Sequence, residues 1–304
     1  MPDRADTVAQ NVGPFELSIV LLSAALHAGW SIAVKSSRDS VVFNLLQSGI
    51  LCTAAIALLP FVDVSEIPAP VWRIAAMTGV AHALYLYWLS RALETADISL
   101  VYPIARSTPA FMPLVAVPLL GESVSGLGVL GIATVVVGIW LVSLGGRLNL
   151  RSFLQPGLVF AYLTLASTVA YGLFDKAAMT SLDAVTWTSA IPRPIFFVLM
   201  LYLASSVYYV PLALWRRGTS QIGEIWRTEW RSLLVSAVIS LASYGFILEA
   251  LRTAPASYVV AVRQSSVLFV LILSVLLLRE RQGPARLLGA GITVAGVAVI
   301  AIAP

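Results

Sequence analysis

Charge is what this sequence has least of. Only 11% of its 304 residues are Asp, Glu, Lys or Arg, less than half of the roughly 25% carried by an average soluble domain. A water-facing surface cannot be covered with so few charges, and a disordered chain needs the opposite balance, so both classes are excluded. Cysteine is nearly absent too. Cys52 stands alone, so there is no intrachain disulfide and no thiolate cluster. Two histidines, His27 and His82, are too few for most metal sites, and neither a metal nor a cofactor is expected. No Gly-x-x-x-x-Gly-Lys-Ser/Thr loop occurs, which removes nucleotide-driven pumping. An enzyme working inside a membrane would need a nucleophile and a base. Ser31, one helical turn after His27, is the only pair on offer and a commonplace one, so the reading is not an enzyme.

Apolar length is what remains. The hydrophobic set makes up 59% of the chain, and the mean hydropathy is +0.90. A membrane-spanning helix takes about 20 apolar residues. Ten runs qualify, here called spans 1 to 10: 17–34, 41–60, 71–93, 98–119, 126–145, 157–178, 187–214, 233–251, 256–278 and 287–303. The runs are unbroken rather than alternating, which excludes a barrel. Pro192-Arg193-Pro194 interrupts span 7, whose helix can start as late as Ile195. The first fifteen residues lack the basic start of a signal peptide, and span 1 belongs to the repeat below, so it is expected to be retained. The net charge of +4 falls mostly at the ends of spans, where basic residues anchor helices at headgroup level. No nucleic-acid partner is read from it; membrane lipid is the surrounding partner.

The chain repeats itself. Ala92-Leu93-Glu94-Thr95-Ala96 returns as Ala250-Leu251-Arg252-Thr253-Ala254, a shift of 158. The same shift carries Ser99 onto Ser257, Phe111 onto Phe269, Gly121-Glu122 onto Arg279-Glu280, and Gly131 and Gly138 onto Gly289 and Gly296. Lys35 and Lys176, near the ends of spans 1 and 6, are related by a shift of 141. The difference of 17 falls between spans 6 and 8, where the loop 216–231 lies. Matches in one register over so long a stretch define two units, 1–150 and 151–304. Five spans per unit is odd, so the second unit enters the membrane from the opposite side. The expected fold is therefore an all-α integral membrane protein of ten transmembrane helices in two inverted-topology repeats. Secondary transporters with a central site and alternating access are built this way.

The sequence resembles the EamA branch of the drug/metabolite transporter superfamily over nearly its whole length. The resemblance rests on His27-Ala28-Gly29-Trp30 with Lys35, on Ser99-Leu100-Val101-Tyr102-Pro103-Ile104-Ala105-Arg106, on Leu120-Gly121-Glu122 and on Leu278-Arg279-Glu280. Tyr102-Pro103-Ile104-Ala105-Arg106 and Arg263-Gln264-Ser265-Ser266-Val267 are similar to one bacterial subgroup that includes proteins linked to phosphonate use. Ser31 stands where that pattern often has Asn. The resemblance implies a duplicated five-helix fold and movement of small metabolites through the bacterial cytoplasmic membrane. It names no substrate.

An ionisable group at membrane depth is costly unless it faces a cavity or a partner. Arg106 lies about eight residues inside span 4, roughly 12 Å at helical rise. Arg263 lies about seven residues inside span 9. Under the shift of 158 Arg106 matches Gln264, so the two point in different directions. Span 1 carries Ser23, His27, Trp30, Ser31 and Lys35 in one polar and aromatic stripe, which lipid would not tolerate facing outward. Span 3 offers His82, Tyr85 and Trp88; span 4 adds Ser99 and Tyr102; span 8 adds Ser236, Ser240, Ser243 and Tyr244. The substrate-binding candidates are Arg106, Arg263, His27, Trp30, Tyr85, Tyr102, Lys35 and Lys176. Each has a plainer reading: snorkelling for the charges, interhelical hydrogen bonding for the serines, a satisfied buried ring for His27.

Further expectations concern helix shape, charge and topology. Prolines 103, 109, 113 and 118 should kink span 4, while span 9, with none after Pro255, should be nearly straight. The glycines of spans 5 and 10 suit close packing of scaffold helices. Glu122 and Glu280 should cap the helices they precede. Acidic residues, Asp175 included, should keep to span ends. With basic candidates and no buried carboxylate in span 1, the expected substrate is anionic or zwitterionic, bound by arginine, with a proton as the default coupling partner. The alternatives are a lipid-carrier translocase and a multidrug or cation exporter. Both termini should share one side: the distribution of Lys and Arg places them outside, whereas the family resemblance implies both inside. One chain completes the pair, so a monomer suffices, and a dimer is compatible.

Overall fold

Proline opens the helices of this protein and left-handed glycine closes two of them. The computed structural model describes residues 11–145, 153–278 and 282–304, and among these every regular element is helical. The α-helices are α1 (Pro14–Ser36), α2 (Ser40–Leu58), α3 (Ala69–Thr95), α4 (Ile98–Ala105), α5 (Thr108–Leu120), α6 (Gly126–Leu144), α7 (Val159–Asp183), α8 (Arg193–Arg217), α9 (Ile222–Thr253), α10 (Ala256–Arg263), α11 (Ser266–Leu278) and α12 (Pro284–Ala301). Pro14, Pro70, Pro109, Pro194 and Pro284 sit in the first two helical positions, where the missing N–H is no loss. Gly121 and Gly145 end α5 and α6 at φ 67° and 57°, a conformation that favours glycine.

Nine spans among the described residues are long and apolar enough to cross a membrane. The tenth expected span, α3, is long enough, but His82, Tyr85, Tyr87, Trp88 and its terminal charges leave it less apolar. α9 corrects the expected loop 216–231: its helix already starts at Ile222. Ile222 and Ile225 pack with Val42 and Phe43, while Glu224 and Arg227 stay exposed, so an amphipathic extension continues the helix past its apolar run. Residues 187–192 of span 7 are not helical; Arg193 begins α8 and donates to the carbonyls of Leu182 and Val185 at the end of α7.

Adding 158 to the bounds of α4 and α5 returns those of α10 and α11. Spans 4 and 9 are therefore both broken, in the same register, which overturns the straight span 9. In the first, Pro109 cannot donate to the Ala105 carbonyl, and the chain turns through Arg106 and Ser107. In the second no proline is needed. Gln264, Ser265, Val267 and Leu268 donate to carbonyls three residues back, a short 3₁₀ turn that resets the helix axis. The two turns differ in one side chain. Trp140 of α6 donates to the Ser107 hydroxyl (2.8 Å), whereas Ala298 stands at the matching position of α12 and the Ser265 hydroxyl finds no partner among the described residues.

The helices alternate between two ends of the bundle. At one end the Thr253 hydroxyl donates to Glu16 (2.7 Å), Ser189 to the Phe61 carbonyl (3.1 Å), and Arg252 to Asp183. At the other, Arg38 pairs with Glu224, and Thr95 donates to the Gly157 carbonyl (3.1 Å). Glu122 does not cap the helix it precedes. Its carboxylate, 4% exposed, accepts from the Ala256 N–H (2.5 Å), the Ser257 N–H (3.1 Å) and the Ser257 hydroxyl (2.7 Å), capping α10. The expected cap by Glu280 lies outside the described residues. α6 and α12 meet backbone to backbone: a Cβ on Gly289 would lie 2.7 Å from the Gly138 carbonyl oxygen, and one on Gly296 would lie 2.7 Å from the Val135 nitrogen. Their outer faces expose Val129, Leu130, Val137, Leu287, Leu288 and Val294, the surface that lipid covers.

Candidate substrate cavity

Arg106 follows the last residue of α4, and Arg263 is the last residue of α10. Between them they act on side chains of α1, α3, α7 and α9. The Arg106 guanidinium stands 5.8 Å from the Tyr102 ring centre, and that of Arg263 stands 5.2 Å from the Tyr244 ring centre. Both act electrostatically on His27 and on Tyr85. Arg263 also acts on His82, Tyr171, Asp175 and Tyr244. These side chains lie deep within the bundle, yet both arginines, both histidines and the four tyrosines are only part-buried, as the lining of a candidate cavity should be.

Aromatic contacts hold the lining in place. His27 stacks on Trp30 at 5.0 Å, and Trp30 Nε1 donates to Gln47 Oε1 (3.0 Å), which also accepts from Ser236 (2.8 Å). His82 lies 4.0 Å from Tyr171, and Tyr85 meets the same ring edge-on at 5.9 Å. Ser23 and Ser243 bond across α1 and α9 (3.1 Å) and pin these helices beside the cavity. Six of the eight sequence candidates are thus brought together: Arg106, Arg263, His27, Trp30, Tyr85 and Tyr102.

The two lysines lie elsewhere. Lys176, 5% exposed, donates to the carbonyls of Leu251 (2.7 Å) and Ala254 (3.0 Å), closing the C-terminus of α9. Lys35 is exposed in the last turn of α1, eight residues or about 12 Å beyond His27. Trp88 stacks on Phe160 at 5.7 Å, outside this group.

One member runs against expectation. Asp175 is not at a helix end, because α7 continues to Asp183. Its carboxylate is 1% exposed and accepts from the Thr78 hydroxyl (2.8 Å) and from the Tyr244 hydroxyl. His82 completes the group, with Nδ1 3.1 Å from the Thr78 carbonyl and Nε2 3.3 Å from the Tyr244 hydroxyl. The signal was present in the sequence as Asp175, Tyr244 and His82, each on a different span. Nothing in the spacing along the chain pairs them.

The arrangement is a polar, two-arginine cavity at mid-span inside a bundle of apolar helices, the architecture of a multi-pass membrane protein. The model of the EamA-like transporter family matches residues 14–144 and 155–302. The chain belongs to that family, as the resemblance in its sequence implied. No curated protein matches it. A solved crystal structure 19% identical in sequence, covering 93% of this chain and 94% of its own, superposes with a TM-score of 0.68 and shows the same fold.

Proposed function

We propose that this protein is a secondary transporter that moves a small polar metabolite, anionic or zwitterionic, across the bacterial cytoplasmic membrane by alternating access. We read its fold as ten spans in two inverted five-helix units. In support, α1 starts at the end of the bundle where Glu16 meets Thr253, whereas α7 starts at the opposite end, where Thr95 meets Gly157. The observation that carries the substrate reading is the convergence of Arg106 and Arg263 on His27 and Tyr85. Guanidinium groups offer fork-shaped, charge-assisted hydrogen bonds to carboxylate, phosphate or phosphonate. The aromatic walls supply apolar contact to the rest of a small molecule.

Asp175 favours a second reading. Export of cations calls for a carboxylate at the cavity, and Asp175, which the sequence had suggested at a helix end, is buried next to its lining. Two arginines against one aspartate leave the cavity formally positive, so the anionic or zwitterionic reading stands first. The test is thermal stability of the purified protein against phosphonates, sugar phosphates, amino acids and lipophilic cations. Stabilisation by an anion, lost in both Arg106→Ala and Arg263→Ala, is the expected result. Stabilisation by cations alone overturns it.

A further inference from the structure

Donors and acceptors around Asp175 do not match while its carboxylate is ionised. The Thr78 carbonyl can only accept, so His82 Nδ1 carries a hydrogen and neutral His82 presents a lone pair at Nε2. Thr78 and Tyr244 each own one hydroxyl hydrogen, and both point at the carboxylate when it is ionised. Nε2, 3.3 Å from the Tyr244 oxygen, then faces lone pairs. A proton added to Asp175 repairs this. The new carboxyl O–H donates to the Tyr244 oxygen, the Tyr244 O–H turns to His82 Nε2, and the Thr78 hydroxyl keeps its place on the other carboxyl oxygen. His82 Nε2 then has a donor, no existing donor loses its acceptor, and no heavy atom has moved.

We propose that Asp175 is a reversible proton-binding site, linked through Tyr244 to His82. The groups facing it are Thr78 and His82 from α3, Tyr244 from α9, Arg263 from α10 and Tyr171 from its own helix. Lys176, next along α7, is committed to carbonyls of the α9 terminus. Arg263 acts on both Asp175 and the cavity, and this gives the proton a use. With the carboxylate ionised, part of the Arg263 charge is offset locally; with it protonated, that charge is available to an anion. Proton and anion then assist one another, a coupling that rests on the transport reading although the proton site itself does not.

The test uses the full chain in lipid nanodiscs without ligand. Infrared spectra are recorded as pH is lowered, following the carbonyl stretch of a protonated carboxyl group. The expected result is a titrating band that is lost in Asp175→Asn, whose amide keeps the size of the side chain and an acceptor for Thr78. Tyr244→Phe, which leaves the carboxyl in place, retains the band at a shifted frequency. A wild type without the band, or a band unchanged in folded Asp175→Asn, overturns the proposal. In proteoliposomes a proton gradient should accelerate methylphosphonate uptake by the wild type but not by Asp175→Asn. Gradient-accelerated uptake that survives in Asp175→Asn overturns the coupling of this proton to the anion. A band that depends on Asp175, in a protein that none of the tested anions stabilises, supports the proton site and rejects the anion reading instead.

Discussion

Glu122 offers the sharpest test of how the two halves of the chain depend on each other. Its carboxylate is nearly sealed from solvent and serves three donors at the first turn of α10. Glu122→Ala deprives two buried N–H groups and one hydroxyl of their acceptor. An unsatisfied buried donor costs about 1–3 kcal/mol. The Ser257 hydroxyl can rotate to another carbonyl, but the N–H groups cannot, and the positive end of the α10 dipole also loses its counter-charge. The expected loss is about 3 kcal/mol or more. Glu122→Gln keeps one acceptor oxygen and turns an NH₂ toward a remaining donor, for a loss of roughly 2 kcal/mol. Reversible unfolding in mixed detergent micelles measures both variants against the wild type. An alanine variant within about 1 kcal/mol of the wild type, which is ordinary for a surface change, would refute the buried cap.

Lys176→Met should lower stability by roughly 2 kcal/mol, because two carbonyls at the end of α9 lose a charged donor. The stabilising shift given by an anion should persist in that variant, since the ammonium lies outside the cavity. A normal melting temperature with ligand binding abolished would return Lys176 to the substrate site. In the scaffold seam, Gly289→Val should cost about 1–3 kcal/mol by forcing α6 and α12 apart, whereas Gly291→Ala, with open space around its Cβ, should change little. Equal effects at the two positions would contradict the backbone contact.

Much of this architecture was legible along the chain. Apolar runs located the helices, and the shift of 158 placed spans 4 and 9 and the two glycine helices in register. What escaped depends on contacts between distant segments. Glu122 was read as a cap of its own helix because local spacing shows only the next N-terminus, not the one brought beside it by the second half. Asp175 was assigned to a helix end because the apolar run fades at Ala178, although tertiary packing carries α7 five residues further. The break in span 9 had no proline to announce it. The arginines, by contrast, were visible at once, since a guanidinium inside an apolar run has few places to go.

The side-chain difference at the two broken spans has a mechanical consequence. Trp140 ties the Ser107 turn to a helix whose backbone is locked against its neighbour, so the first turn is braced from outside. At the second, Ala298 offers no such tie, and the buried Ser265 hydroxyl forfeits nothing when its surroundings shift. The same displacing force meets more resistance at Arg106 than at Arg263. On the proposed transport reading, the two broken spans are then unequal partners: one turn is braced, the other can yield, and the yielding turn carries the guanidinium that acts on Asp175.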